Sequence, residues 1–174
     1  MSVVLGLNCN HADSSACILK DGKLLFAIEE ERINRIKHWA GLPIESIKEC
    51  LNQTSVDCTE ITDIAINTNP LSNIKEKTIF FLKNYLLGSK KREIANRIIK
   101  KINIKKDINN LLSLKKLSKK VRTHYIDHHI AHIASAFYPS NFDNAIGLSI
   151  DGFGDFCSLS ITKCNNEKIE IIEK

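Results

Sequence analysis

Two histidines and one aspartate in the last third of the chain have the residue types and the spacing of a metal site. His128 and His132 are four residues apart, so they lie one turn apart on one face if the alanine-rich run around them is helical. Asp151 follows at the end of an apolar run. Imidazole nitrogen and carboxylate oxygen suit a first-row divalent metal and leave coordination positions open for a substrate. The alternative is structural, since adjacent histidines also cap helices or bond to backbone groups.

Hydrophobic periodicity predicts the elements that would position these three residues. The expected elements are a strand over Arg122–Ile126, a helix over His128–Tyr138, a strand that ends at Asp151, and two further strands over Phe156–Thr162 and Lys168–Ile172. The two histidines would then share a helix, and the aspartate would come from the strand that follows it.

In the N-terminal part, the pattern of apolar and turn residues predicts a three-stranded meander followed by a helix and a strand. The expected elements are strands over Val3–Leu7, Ala16–Leu19, Lys23–Glu29 and Ile61–Ile66, and a helix that begins at Pro43. Asp21 and Gly22 form the hairpin signal between the second and third strands. Ile44, Ile47 and Leu51 have the spacing of one apolar helix face.

The start of the chain is similar to a later part of it. A shift of 142 residues lays Val3–Leu19 over Ala145–Ile161, with Asp13 over Asp155. Each copy has an apolar strand, a polar turn with an acid and a return strand, which predicts a duplicated fold with a ligand held between the two turns. In the second turn Gly152 and Gly154 allow the close backbone approach that a phosphate-binding loop needs, although turns of this composition are common by chance.

The positive charge is concentrated in one segment. Lys83–Arg122 contains 14 basic residues against two acids, a local charge of +12 in a chain whose total is +5. Isoleucines at helical spacing in this segment predict amphipathic helices with a basic outer face. A solvated face and a site for an anionic substrate are both open readings. Nucleic acid is not an expected partner, because stacking aromatics are scarce here.

Composition and cysteine use indicate the class of protein and its compartment. A hydrophobic share of 43% with 26% charged residues is ordinary for a soluble globular chain. The N-terminus has no basic region followed by a long apolar run, so we expect no signal peptide, no membrane span and a cytoplasmic protein. Six cysteines without a C-x-x-C spacing favour reduced, packed thiols.

Four stretches of the sequence resemble the NodU/CmcH family of O-carbamoyltransferases. They are Gly6–Leu7 with His11 and Ser14–Ser15, Glu29–His38, Asp127–Ser140, and Ser149–Asp155. The resemblance implies an α/β fold of the actin-like ATPase (ribonuclease-H-like) type, similar to the transferase that makes threonylcarbamoyl-adenosine in tRNA. It further implies a first lobe over residues 1–140, with a basic helical insertion at about 71–121, and the opening strands of a truncated second lobe over 141–174.

The resemblance also implies a reaction, its cofactors and its partners. A YrdC-like domain, which could lie on another chain with the rest of the second lobe, makes carbamoyl-adenylate from carbamoyl phosphate and ATP. The actin-like domain then passes the carbamoyl group to a hydroxyl of a small acceptor, a natural product or a sugar. The implied metal is iron(II).

Carbamoyl transfer needs a base, a polariser and positive charge near phosphate. His11 is the expected base, although Ala12 separates it from Asp13, whereas the family usually has an aspartate directly after this histidine. The expected polariser and nucleotide anchor is the metal of His128, His132 and Asp151. The residues expected near nucleotide or phosphate are Gly152, Gly154, Asp155, Arg32, Arg35 and Lys37, of which the last three could instead pair with Glu29–Glu31.

Two other functional classes compete with the enzyme. An inactive or regulatory actin-like module from a truncated gene would keep the fold and the metal without transferring a group. A sugar kinase of the same fold is disfavoured, because H-x-x-x-H with Asp151 is not a kinase's phosphate chemistry. On either reading we expect the isolated 174-residue chain to have no transferase activity.

Overall fold

Two β-sheets, each with its own helices, account for the described part of the chain. The computed structural model describes residues 1–9, 12–69, 72–87, 121–154 and 157–174. The first compact unit contains Met1–Asn67 and the strand that ends at Tyr125, and the second contains the helix that follows Asn73 together with Ile126–Lys174. Among the predicted functional residues and segments, His11, Asp155 and residues 88–120 of the basic segment lie outside the described residues.

The sheet of the first unit combines a meander with two parallel strands. Its strands are β1 (Val3–Asn8), β2 (Ser15–Lys20), β3 (Lys23–Glu29), β4 (Asp63–Ile66) and β5 (Arg122–Tyr125), in the order β3-β2-β1-β4-β5. β1, β2 and β3 pair antiparallel, whereas β4 is parallel to β1 and β5 is parallel to β4. Asp21 and Gly22 both have positive φ, as a tight hairpin turn requires. The predicted meander is therefore confirmed.

Helix α2 (Ile44–Thr54) covers one face of this meander. It packs on β2 and β3 and buries Ile47, Cys50 and Leu51. Pro43 is the N-cap residue, so the helix begins one position later than the sequence predicted. These three side chains belong to a core of fourteen buried apolar residues in the described part of the chain. The others come from β1 and the residue after it, β2, β4 and the segment between α2 and β4.

A buried carboxylate holds the start of α2. Glu30, in the short helix α1 (Glu30–Asn34), is 3% exposed and accepts the backbone N–H groups of Glu45 at 3.1 Å and Ser46 at 2.7 Å. The first N–H groups of a helix have no partner within the helix, and its N-terminus favours negative charge. Pro43 provides no side-chain cap, so the Glu30 carboxylate takes that role.

The second unit contains a second meander. Its elements are α3 (Ile74–Leu87), α4 (His128–Phe137), β6 (Asn144–Gly154), β7 (Cys157–Asn165) and β8 (Ile169–Glu173). β6, β7 and β8 pair antiparallel in chain order, the arrangement that β1, β2 and β3 have in the first unit. The predicted helix and strands are present, but β6 does not end at Asp151 as predicted: it continues to Gly154, so Gly152 and Gly154 lie in the strand and not in a turn after it. The start of the basic segment, Lys83–Leu87, is also helical.

α4 packs on this sheet through a small core, and a glycine permits the close approach. Ile133 and Phe137 of α4 are buried with Cys164 of β7. A Cβ added to Gly147 of β6 would lie 2.5 Å from Thr162 Oγ1 and 2.7 Å from Ile133 Cγ2, so a larger residue does not fit. α4 belongs to the same compact unit as β6, β7 and β8. The lobe boundary at residue 140 stays a prediction.

All six cysteines are free thiols, and four of them are buried. Burial raises the pKa of Cys9 to about 11 and the pKa of Cys50 to about 12, so both are protonated at neutral pH. The expectation of packed thiols is confirmed for the four buried cysteines. Among the described helices, none has the length and apolar character needed to cross a membrane.

Candidate metal site

The first residues of α4 position the two candidate histidine ligands. Asp127 is the N-cap residue, and its Oδ1 accepts the backbone N–H groups of His129 and Ile130. Its Oδ2 accepts hydrogen bonds from Ser72 Oγ and Lys174 Nζ. Burial raises the pKa of the Asp127 carboxyl, but these donors outweigh burial and leave the pKa below its ordinary value. A charged, fully bonded carboxylate thus fixes where the helix begins.

His128, His132 and Asp151 bring three ligand atoms to one point. His128 Nε2 lies 2.7 Å from Asp151 Oδ2 and 3.0 Å from His132 Nε2, and His132 Nε2 lies 3.9 Å from Asp151 Oδ2. One position is about 2 Å from all three atoms, which is the distance at which zinc and similar ions bind nitrogen and oxygen ligands. Two imidazoles and one carboxylate with open positions also match the donor set of non-haem iron(II) sites.

The site has one buried wall and one open side. The His128 side chain is 7% exposed, whereas that of His132 is 56% exposed. The hydrogen bond from His128 lowers the pKa of Asp151, and the backbone N–H of Gly152 adds to this, so the carboxylate is charged at neutral pH. An anionic ligand beside two imidazoles suits a cation, and the exposed side leaves room for a substrate.

His129 points away from this site, as its position on the helix predicts. It is fully buried, with Nε2 at 3.0 Å from the Cys157 carbonyl oxygen and Nδ1 at 2.8 Å from Ser149 Oγ. A carbonyl oxygen only accepts, so Nε2 carries the proton and Nδ1 accepts the serine hydroxyl. Both ring nitrogens of His129 are therefore used in joining α4 to β6 and β7.

Among the predicted phosphate-binding residues, the structure describes the two glycines of β6. Gly152 is exposed, and a Cβ added to it would meet nothing within 4 Å in the described part of the chain. Packing among the described residues therefore does not explain this glycine. Gly154 pairs with Cys157 after an irregularity in the β6–β7 register. Phosphate binding by these two glycines stays a prediction.

The predicted basic cluster lies in the first unit, in α1 and the loop after it. Arg32, Arg35 and Lys37 are all exposed. Arg32 lies 3.3 Å from a carboxylate oxygen of Glu29 and 3.7 Å from one of Glu31, so the structural alternative accounts for its contacts. Exposed pairs of this kind contribute little to stability. A phosphate role for the cluster stays a prediction.

Sequence reasoning missed two features that position the site. An aspartate directly before an apolar helical run is an N-cap signal, so Asp127 could have been found from the sequence. The partners of His129 could not, because Ser149 and Cys157 are 20 and 28 residues away and carry no local signal.

The fold defines the class of protein. The chain is similar to YeaZ from Pseudomonas aeruginosa with a TM-score of 0.53 and 11% identity, over 100% of this chain and 65% of that one. The predicted α/β actin-like ATPase fold is thereby confirmed. The sequence also matches a protein-family model, that of the carbamoyltransferase N-terminus, over residues 3–173. The chain belongs to this family, and the resemblance read from its motifs is confirmed.

Two relatives show how much of such a protein the chain represents. It is 33% identical over 147 residues to the nodulation protein NolNO of Sinorhizobium fredii, a match that covers 84% of this chain and 20% of NolNO. It is 30% identical over 167 residues to the protein sll1178 of Synechocystis sp., covering 92% of this chain and 27% of that protein. The chain therefore spans about a quarter of the length of these relatives.

Proposed function

We propose that this chain is the N-terminal part of an ATP-dependent O-carbamoyltransferase. The whole protein would move a carbamoyl group from carbamoyl phosphate, by way of carbamoyl-adenylate, to a hydroxyl of a natural product or sugar. The observation that carries the proposal is the convergence of His128, His132 and Asp151 in a chain of the carbamoyltransferase family. The donor set fits one divalent metal, which we assign as iron(II).

The transfer forms one bond and breaks one bond at the carbamoyl carbon. The acceptor oxygen forms the new C–O bond as its proton passes to a base, and the bond from the carbamoyl carbon to the adenylate phosphate oxygen breaks to release AMP. His11 is the residue we assign as that base. A metal held by the three ligands would supply a Lewis acid for a carbamoyl or phosphate oxygen.

The other residues of the chain prepare the site. Asp127 fixes the start of α4, and therefore the positions of both histidine ligands. His129 holds the same helix to β6 and β7 through two hydrogen bonds. Both arrangements fix the ligand side chains before a metal or substrate arrives, which is what an active site needs.

Metal titration of single variants tests the ligand assignment. Purified chain is titrated with iron(II) without oxygen, and with cobalt(II) as a spectroscopic probe. We expect His128→Ala and His132→Ala each to weaken binding at least about tenfold, since each removes one of three ligands. His129→Ala is the comparison variant: both of its ring nitrogens are bonded elsewhere, so it should weaken binding less than either ligand variant, by loosening α4 and not by removing a ligand.

The comparison variant also carries the contrary result. If His129→Ala abolishes binding while His128→Ala or His132→Ala leaves it intact, the assignment is wrong. Circular dichroism of each variant separates loss of a ligand from loss of the helix.

Transfer itself is tested on the whole protein with radiolabelled carbamoyl phosphate, ATP and a panel of hydroxylated acceptors. Label should reach an acceptor in the parent, and His132→Ala should reduce transfer at least about a hundredfold. Because the chain spans about a quarter of its relatives, we expect the isolated chain to be inactive. Metal binding without any transfer by the whole protein would favour a regulatory module instead.

A further inference from the structure

A second group of metal-ligand atoms lies in the first unit. Asp13, Glu31 and His38 each offer one ligand atom, and these atoms lie within 4.8 Å of one another. Asp13 comes from the turn between β1 and β2, Glu31 from α1, and His38 from the loop between α1 and α2. Three separate segments of the chain therefore supply one nitrogen and two oxygens at one place.

The distances between these side chains fit a small ion. His38 Nδ1 lies 2.9 Å from Asp13 Oδ1, and the backbone N–H of His38 donates to Glu31 Oε2 at 3.1 Å. Ligands about 2.1 Å from one ion are separated by about 3 to 4 Å. Small side-chain rotations would therefore bring all three atoms to ligand distance.

Hydrogen bonds outside the three side chains also join the turn to the loop. Ser14 donates its N–H to the Trp39 carbonyl at 3.0 Å and its hydroxyl to the Gly41 carbonyl at 2.8 Å, so the turn and the loop are already joined. Asp13 and His38 both have left-handed backbone, with φ of 61° and 54°. Aspartate and histidine adopt this conformation more readily than most residues other than glycine, and it sets the path of the chain at both positions.

The same unit contains a contrasting histidine–aspartate pair. His124 Nε2 lies 2.7 Å from Asp63 Oδ1, but the partner on that carboxylate is Arg122, whose Nε lies 2.9 Å from Oδ1. That group has a carboxylate already neutralised by a guanidinium. At Asp13 and His38 the third member is a second carboxylate, Glu31, so two carboxylates face one imidazole, and the net negative charge of the group attracts a cation.

Among the ion pairs of the described residues, Arg32 is the basic side chain beside Glu31, and it competes with such a cation only weakly. Arg32 lies 3.7 Å from Glu31 Oε1, the oxygen that does not accept the His38 N–H, and 3.3 Å from Glu29. Its side chain is 67% exposed, so water screens its charge.

We propose that Asp13, Glu31 and His38 form a second binding site for a divalent transition-metal ion. One imidazole and two carboxylates suit manganese, iron, cobalt, nickel or zinc. The ion would tie the β1–β2 turn to α1 and to the loop before α2. This site is separate from His128, His132 and Asp151, and it does not depend on the proposed transferase activity.

Cobalt(II) titration in a background without the first site isolates the second. The double variant His128→Ala/His132→Ala should still bind one equivalent, read from visible cobalt absorption. In that background Asp13→Asn, Glu31→Gln and His38→Gln should each weaken binding at least about tenfold. His124→Gln is the matched control, because it removes a histidine that bonds to a carboxylate without a second carboxylate beside it, and it should leave binding unchanged.

A measurement on the double variant itself needs no further substitution. Bound cobalt(II) should shift and broaden the imidazole proton resonances of His38 and leave those of His124 in place. These resonances test the proposed site even if a substitution at position 38 unfolds the chain. The proposal fails if His38 resonances do not respond, if His38→Gln binds as tightly as the double variant, or if His124→Gln weakens binding equally.

Discussion

The two meanders of the chain have the same topology but different means of stabilisation. β1, β2 and β3 lie against α2 over a cluster of fourteen buried apolar residues, whereas β6, β7 and β8 lie against α4 over three. The second sheet also leaves one row of β6 exposed, formed by Ile146, Leu148 and Ile150. Among the described residues, hydrophobic burial therefore stabilises the first unit far more than the second.

The candidate metal ligands make the opposite comparison. His128, His129 and Ser149 are buried where α4 meets its sheet, and each makes a hydrogen bond there. In the first unit the candidate ligands Asp13 and His38 are half exposed or more, outside the core. Packing and site chemistry thus share residues in the second unit, whereas they are separate in the first. Substitutions should reveal this difference.

The largest effect should come from the apolar core of the first unit. Leu5, in β1, is fully buried, and Leu5→Ala should reduce the free energy of unfolding by about 2–5 kcal/mol through lost burial and a residual cavity. Denaturant unfolding followed by the fluorescence of Trp39, the single tryptophan, measures it. Leu148→Ala, on the exposed face of β6, is the control and should stay within about 0.5 kcal/mol. Equal losses would show that the Leu148 face is covered in solution.

Substitution of Gly147 should reduce the free energy of unfolding less than Leu5→Ala does, but it should affect the candidate metal site more. In Gly147→Val the added side chain meets Thr162 and Ile133, which should cost about 1–3 kcal/mol as α4 is pushed from β6. Metal affinity should fall with it, because α4 carries both histidine ligands. Gly152→Ala has space for its methyl group and serves as the control for stability. Thermal unfolding by circular dichroism together with cobalt titration checks both results. Unchanged cobalt affinity in Gly147→Val would show that the packing of α4 on β6 does not control the geometry of the candidate metal site.

Much of the fold and of the candidate metal site can be predicted from local sequence patterns. A short apolar run predicts β1 as a buried strand, and the Asp21–Gly22 turn predicts the β2–β3 hairpin. The four-residue spacing of His128 and His132 predicts a shared helix face, and their nitrogens do lie 3.0 Å apart. These features depend on residues close in sequence, for which periodicity is a direct guide.

Contacts between distant segments could not be read in this way. The carboxylate of Glu30 caps α2 fifteen and sixteen residues later, although a run of glutamates suggests only a solvated surface. The contact of Asp13 with His38 depends on left-handed backbone at two residues other than glycine, which no periodicity signals. Glu30 and His38 belong to a stretch that carries the family resemblance, so a motif match found these two residues without their roles.

A moderate effect confined to the second unit should come from the cap of α4. Asp127→Ala removes the side chain that accepts the first N–H groups of the helix and should cost about 1 kcal/mol. Asp127→Ser keeps a capping oxygen and should recover most of that loss. Circular dichroism melts measure the stability, and cobalt titration should show weaker binding by Asp127→Ala than by Asp127→Ser. If the two variants behave alike, the cap is not what positions His128 and His132.

The smallest effect, visible as pH dependence, should come from Asp63 in the first unit. Hydrogen bonds from Arg122 and His124 hold the pKa of this carboxyl well below its usual range. A carboxyl with a depressed folded-state pKa contributes stability above its unfolded pKa, about 3.9, and that contribution is lost as pH falls toward the folded pKa. Parent and Asp63→Asn should therefore differ in unfolding free energy at pH 6, with the parent more stable, and the difference should narrow from about pH 5 downward. Arg122→Gln removes the strongest hydrogen-bond donor to Asp63. The pKa of Asp63 should then lie closer to its ordinary value but still below it, because His124 remains, so stability should depend on pH over a narrower range. Denaturant midpoints across this pH range measure the difference in stability. If the difference between parent and Asp63→Asn stays constant from pH 6 to pH 3, the β4–β5 contact does not depend on the charge of Asp63.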